Sequence, residues 1–197
     1  MECIWIYTPF FFGDIMNITV YLGASLPNNI KYINECKLLG GLIGKLGYNL
    51  IYGGSKCGLM GILADSAIDA GAYVICVEPQ MFIDKCEQHD HLNEFIITND
   101  LLDRKRKMLE LGDIYIAFPG GTGTLCEITE AMDLISLKDY TNDYSNKKCI
   151  FYNLDGYYDE IEELLNKMLK NDFTNKSRIN NIYFINNIEE LEEFLTK

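Results

Sequence analysis

The sequence predicts an α/β fold, a parallel sheet with helices covering both faces. Two observations point there. Short runs rich in β-branched and aromatic residues alternate with helix-length stretches along the whole chain. Those short runs are almost continuously apolar, as strands buried on both faces must be.

Strands are expected at 18–23 (ITVYLG), 48–53, 72–77, 113–118, 148–153 and 182–186, with a weaker piece at 95–98 inside a long connection. Helices are expected at roughly 29–46, 59–70, 100–111, 124–138, 157–170 and 187–196. Gly47, Gly71 and Gly112 each fall just past a helical run, where a left-handed cap needs no Cβ. No linker, repeat or low-complexity block interrupts the pattern, so a single domain is expected over 17–197. Ahead of it lies an apolar N-terminal extension, residues 1–16 (MECIWIYTPFFFGDIM). It is too short to span a bilayer and lacks the basic start and small-residue cleavage site of a signal peptide. Met16 immediately precedes the first clear strand, so residues 1–15 are expected to be dispensable.

Composition narrows the partners. A formal net charge of -12 argues against a nucleic-acid groove, which needs a basic face, and against docking on an anionic membrane. A small anionic ligand remains compatible where positive charge is gathered locally. Four of the 17 basic residues sit together at Arg104, Lys105, Arg106 and Lys107. Seven cysteines without a C-x-x-C pair imply reduced thiols and a cytoplasmic location. His89 and His91 have no companion ligands in sequence and are expected on a surface loop, so no metal site is predicted.

In open parallel sheets, ligands bind beyond the carboxyl ends of the strands. Those ends carry GAS at 23–25, GGSKCGLMG at 53–61, EPQM at 78–81 and PGGTGT at 119–124. Pro119 ends its strand, since it has no ladder donor. Gly120, Gly121 and Gly123 permit left-handed or unusually close backbone, with Thr122 between them and Thr124 placed as an N-cap. Amides at such a helix start favour an anion, so the stretch reads as a phosphate cradle. It is neither a Walker A loop nor a complete dinucleotide fingerprint, because Cys126 stands where a third glycine belongs.

Glu127 has two readings. Thr124 and Glu127 form T-x-x-E, a capping box in which the glutamate only returns to the cap. Alternatively, with Glu130 one turn on, it places an acid beside the cradle to act on a substrate. Gly54 belongs to a second glycine loop, and two such loops on one sheet favour a nucleotide crevice. Ser25 is a donor for a phosphate or ribose hydroxyl. Along the basic run, Arg104 shares a helix face with Met108 while Arg106 falls elsewhere, so Arg104 is the residue expected in the crevice.

These motifs resemble the LOG (Lonely Guy) family, once widely labelled lysine decarboxylases. PGGTGTLCE (119–127) matches P-G-G-x-G-T-x-x-E, and LDRKRKM (102–108) resembles the accompanying R-K-x-x-M element. GGSKCGLMG matches G-G-x-x-x-G-L-M-G, and NLDGYYDE (153–160) matches N-x-D-G-Y-Y. The likeness runs in order from about Asn17 to about Phe173. It implies a doubly wound, Rossmann-like homodimer that binds AMP-type nucleotides. It implies hydrolysis of the N-glycosidic bond of a cytokinin-type or adenosine 5'-monophosphate, giving free base and ribose 5-phosphate without metal or redox cofactor.

By the same resemblance Arg104 and Glu127 are catalytic, and Lys105 and Gly121 to Thr124 bind substrate. Ser25, Gly54, Gly120, Glu130 and Asp133 complete the expected substrate-binding set. Thr122 replaces the family's usual aromatic, Cys126 replaces the first acid of its E-E pair, and Leu102 stands where a histidine often precedes R-K. Asp133 occupies a position often held by threonine. These departures bear on base preference more than on chemistry. Cleavage of an N-glycoside builds oxocarbenium character, which an ionised carboxylate stabilises, and a glutamate at a helix N-terminus is expected to stay ionised. The alternative is a non-catalytic nucleotide carrier or sensor on the same fold. A lysine decarboxylase is a poor third, since no lysine presents itself for pyridoxal phosphate.

Overall fold

The computed structural model describes residues 15–83, 89, 91–137 and 144–197. The first half comprises β1 (Asn17–Tyr21), α1 (Ile30–Lys45), β2 (Asn49–Tyr52), α2 (Gly58–Asp69), β3 (Val74–Pro79), the short α3 (Gln80–Ile83) and β4 (Glu94–Thr98). The second half runs through α4 (Leu101–Leu111), β5 (Ile114–Ala117), α5 (Thr122–Ser136), β6 (Lys148–Tyr152), α6 (Asp159–Lys170), the short α7 (Lys176–Ile179), β7 (Ile182–Ile185) and α8 (Ile188–Leu195). The strands form one seven-stranded sheet in the order β4-β3-β2-β1-β5-β6-β7, and every neighbouring pair is parallel.

Strand alternation divides the core between the two faces. Ile18, Val20, Tyr52, Ile116 and Ile150 point to one side, where α1, α2 and α8 bring Leu39, Ile43, Leu63 and Leu191. Tyr21, Ile51, Tyr115, Ala117 and Phe151 point to the other, against Met108 and Leu109 of α4 and Ile128, Ala131 and Ile135 of α5. The sheet is thus doubly wound, as the continuous apolar strands require.

The expected strands and long helices are present, with ends moved by a few residues. The piece at 95–98 proves to be a full edge strand, paired with β3 from Glu94 to Thr98. Its weak signal has a physical cause, since an edge strand keeps exposed positions and loses the continuous apolar run. The turns of helix at α3 and α7 were not anticipated, being too short to show a helical period.

Gly47 and Gly71 adopt the expected left-handed backbone, with φ of 71° and 88°. Gly112 does not; its backbone is extended, at φ -76° and ψ 145°. Its glycine answers to space instead, because a Cβ there would strike the Thr19 hydroxyl and lie 2.8 Å from the Tyr115 ring. Residues 1–14 of the apolar extension lie outside the described residues. Among the described residues, no helix is long and apolar enough to cross a membrane.

Candidate functional site

The chain leaves β1 toward β2 on one side and leaves β5 toward β6 on the other, so the order reverses between two hydrogen-bonded neighbours. Beyond their carboxyl ends lies a cavity of about 710 Å³. Its wall includes Ser25 after β1, Met60 of α2, Arg104 of α4, the loop from Pro119 to Thr124, and Glu127 of α5. This is where an open α/β sheet places a ligand.

The glycine loop works through close approach. None of Gly120, Gly121 and Gly123 has positive φ. A Cβ on Gly120 would meet the Thr124 side chain and come within 3.2 Å of the Gly23 nitrogen, so the β1 and β5 loops touch backbone to backbone. A Cβ on Gly121 or Gly123 would meet nothing within 4 Å. Both stand at the cavity, and α5 begins at Thr122 with Gly121 as its N-cap. The amides of the first turn have no acceptor within the helix and are available to an anion.

This start corrects one expectation. Thr124 is not the cap; it is the third residue of α5, 3% exposed, and no side chain caps the helix. The capping-box reading of Glu127 falls with it. The Glu127 carboxylate instead accepts a hydrogen bond from Arg104 Nη2 in a buried ion pair between α5 and α4.

Arg104 arrives there by helix phase. Asp100 caps α4 by accepting from the amides of Leu102 and Asp103, at 2.8 and 2.9 Å. The Thr19 hydroxyl donates to the Met108 carbonyl at 3.2 Å, seating the helix on β1. Met108 is buried, and Arg104, one turn earlier, shares its face. Arg106 points to solvent and, among the described residues, pairs with Asp103 at 3.3 Å.

Burial pushes the Glu127 carboxyl above its ordinary value, against the opposing pull of Arg104 and Lys105. This revises the expectation that the helix dipole keeps the acid ionised. Glu127 is the sixth residue of α5, beyond the reach of the terminal amides, and Arg104, with Lys105 beside it, favours its charge.

Lys105 bonds Glu130 at 2.6 Å, making a second rung between α4 and α5. The bond to Glu130 raises the Lys105 ammonium above its usual value. Neither residue stands in the cavity wall, and neither does Gly54 or Asp133. Gly54 has φ of 94° and faces Cys76 and Glu78, so it serves close packing behind the wall. Asp133 is exposed two turns further along α5. Ser25, Thr122 and the glycine loop are brought together as expected.

Sequence reasoning passed over the part played by the N-x-D-G-Y-Y segment. The Tyr157 hydroxyl donates to the Gly120 carbonyl at 2.6 Å, and that of Tyr158 donates to the Phe118 carbonyl at 3.0 Å. Asn153 Oδ1 accepts from the Tyr158 amide at 2.6 Å. Asp155, at φ 55°, pairs with Lys31 of α1 at 2.5 Å. The segment therefore buttresses the glycine loop, with Tyr157 also standing in the cavity wall. Glu78, at the end of β3, was also passed over. It is 2% exposed, and burial raises its carboxyl above the usual range. An acid inside a continuous apolar strand was the available signal.

His89 lies outside any helix or strand, as a loop residue should, but its side chain is shielded rather than on the surface. Its ring is only 6% exposed and lies 2.8 Å from the Asp65 carboxylate. Among the described residues, no group of three or more His, Cys, Asp or Glu side chains could hold a metal ion.

Fold and site together define a Rossmann-like protein with a glycine-rich loop and a buried Arg–Glu pair at its switch point. Residues 60–195 match the family described as "Possible lysine decarboxylase". The chain is 37% identical over 143 residues to the cytokinin riboside 5'-monophosphate phosphoribohydrolase of Rhodococcoides fascians, covering 72% of this chain and 70% of that protein. It is 29% identical to a "probable" enzyme of the same name from Oryza sativa subsp. japonica, covering 94% of this chain and 78% of that one. The molybdenum cofactor binding protein of Rippkaea orientalis has the same fold, with a TM-score of 0.66 at 21% identity over 92% of this chain and 96% of that chain. The chain belongs to the LOG family, and it is a hydrolase of that family.

Proposed function

We propose that this protein hydrolyses the N-glycosidic bond of nucleoside 5'-monophosphates of adenosine or cytokinin type. The observation that carries the reading is the buried Arg104–Glu127 pair in the wall of the cavity that the glycine loop opens. The names of the similar relatives support it.

The 5'-phosphate lies on the first-turn amides of α5, held by Gly121 to Thr124, with Ser25 supplying a further donor. The ribose then faces Glu127, one to two turns deeper along the same helix. As the C1'–N bond lengthens, positive charge builds on the sugar, and the Glu127 carboxylate stabilises it or orients the attacking water. Water adds its oxygen to C1', and the base leaves carrying a proton. Ribose 5-phosphate and free base are the products.

With the ion pair closed, Arg104 offsets the charge that Glu127 must present. Substrate therefore has to part the pair, with Glu127 turning to the sugar while Arg104 stays in the cavity wall beside the phosphate or the departing base. Lys105 and Glu130 brace α4 against α5 while this happens. The proposal includes the homodimer implied by the family resemblance, and sedimentation at assay concentration checks it. A fully active monomer would contradict that part.

The test is incubation with AMP and with N6-isopentenyl-AMP, followed by chromatography for base and ribose 5-phosphate. Equal amounts of the two products are expected. Tight binding with no release would establish a nucleotide carrier instead.

A further inference from the structure

Among the described residues, two buried side-chain atoms have no hydrogen-bond partner: Arg104 Nε and Glu78 Oε2. One is a donor and the other an acceptor. Their side chains converge on adjacent glycines. A Cβ on Gly53 would lie 3.5 Å from Arg104 Nη1, and a Cβ on Gly54 would lie 3.2 Å from the Glu78 carboxyl carbon. Glu78 is 2% exposed, sits on β3 and takes no part in the cavity wall, so it cannot touch a substrate there. Arg104 thus has Glu127 at its Nη2, while Glu78 acts on it through charge alone, with no hydrogen bond between them.

We propose that Glu78 is a positioning residue for Arg104, holding the guanidinium from the sheet side so that Glu127 is free to turn to the sugar. The inference rests on the hydrolase reading of the site. It answers a need that reading creates, because an arginine whose bonded carboxylate turns away requires a second charge to keep it in place. With two carboxylates, the guanidinium keeps a partner when Glu127 disengages.

The other titratable groups facing Glu78 are Cys76 on its own strand and Tyr52 on β2, and burial keeps both protonated. Arg104 is the cation that favours the ionised Glu78, and it only partly offsets the burial. A carboxyl that weakens the fold by its charge belongs to the class of residues kept for function. A packing role predicts the opposite, since glutamine has the same shape and fills the same space.

The experiment compares the parent with Glu78→Gln and Glu78→Asp by melting temperature, AMP hydrolysis and ¹⁵N NMR of arginine Nε–H groups. Loss of a signal in Arg104→Lys identifies Arg104. Glu78→Gln is expected to melt at or above the parent at pH 7 and to lose roughly tenfold in kcat with little change in KM, as lost positioning predicts. Glu78→Asp should recover part of that loss. The Arg104 Nε–H should exchange slowly in the parent and faster in Glu78→Gln. Parental kcat with an unchanged NMR signal in Glu78→Gln would overturn the proposal. So would a lowered melting temperature with kcat and KM affected alike. If the parent releases no base, the hydrolase reading fails, and the NMR comparison still decides whether Glu78 holds Arg104.

Discussion

Arg104 and Glu127 are worth more together than either is alone. An ion pair this buried gains little net stability, but removing one partner strands the other. Arg104→Ala should therefore lose base release and about 3 kcal/mol of stability, because Glu127 and Glu78 are left without their cation. Arg106→Ala should keep most activity and stay within ~0.5 kcal/mol of the parent, since its side chain is largely in solvent. Thermal denaturation and base release check both, and equal, mild losses would mean that the basic run is only a solvated face.

The same pair sets a pH dependence. Burial raises the Glu127 carboxyl above its ordinary value, so the folded state holds its proton to higher pH than the unfolded state does. Its contribution to stability is therefore greatest below that window and declines as pH rises through it. On the proposed mechanism activity runs the other way, because that mechanism needs the ionised carboxylate, and a pH profile of base release checks it.

Helix phase made Arg104 legible in the sequence, and it was right to set Arg106 apart. Glu127's partner was not legible, because nothing local says that residues 23 apart will meet. The T-x-x-E pattern pointed to a cap at Thr124, and the cap stands three residues earlier, at Gly121.

At the scale of elements, α5 is the part on which the site depends. Its first turn supplies the amides, its second supplies Glu127, and its inward residues Ile128, Ala131 and Ile135 seat it on the sheet. The glycines of the loop differ in purpose. Gly120 is required by the backbone contact with Gly23, whereas Gly121 faces open space and its conformation suits any residue. Gly121→Ala should therefore fold normally, with a change in stability of no more than about 1 kcal/mol. Its methyl group would stand where the phosphate belongs, so AMP affinity should fall by about tenfold or more, ~1.4 kcal/mol. Calorimetric titration measures this, and unchanged affinity would remove the phosphate from the loop.

The strands were legible as apolar runs and the long helices as periodic ones. The edge strand β4 was faint because half of it faces solvent, and α3 and α7 left no period at all. The bracing role of Asn153 to Tyr158 lies in contacts between the end of one strand and the loop of another. No local pattern carries those.

For the whole molecule, the sheet order brings the ends of β1 and β5 together and lets α4 return across one face to meet α5. Arg104 and Glu127 meet for that reason. The family likeness was legible because its glycine motifs are loops at these strand ends and its basic motif lies on α4, and the sheet brings Arg104 of that helix to the same cavity. The fold alone does not choose between catalysis and carriage, since the same architecture is found in a cofactor-binding protein at 21% identity. The proposed role of Glu127 is what would choose.

The most direct measurement sets Glu127→Gln beside the parent and follows adenine and ribose 5-phosphate released from AMP. Glutamine keeps an oxygen to accept from Arg104 but carries no charge to face a cationic sugar. The variant should bind AMP and melt close to the parent, while its turnover falls by roughly 100-fold or more. Hydrolysis by Glu127→Gln at close to the parent rate would contradict the account.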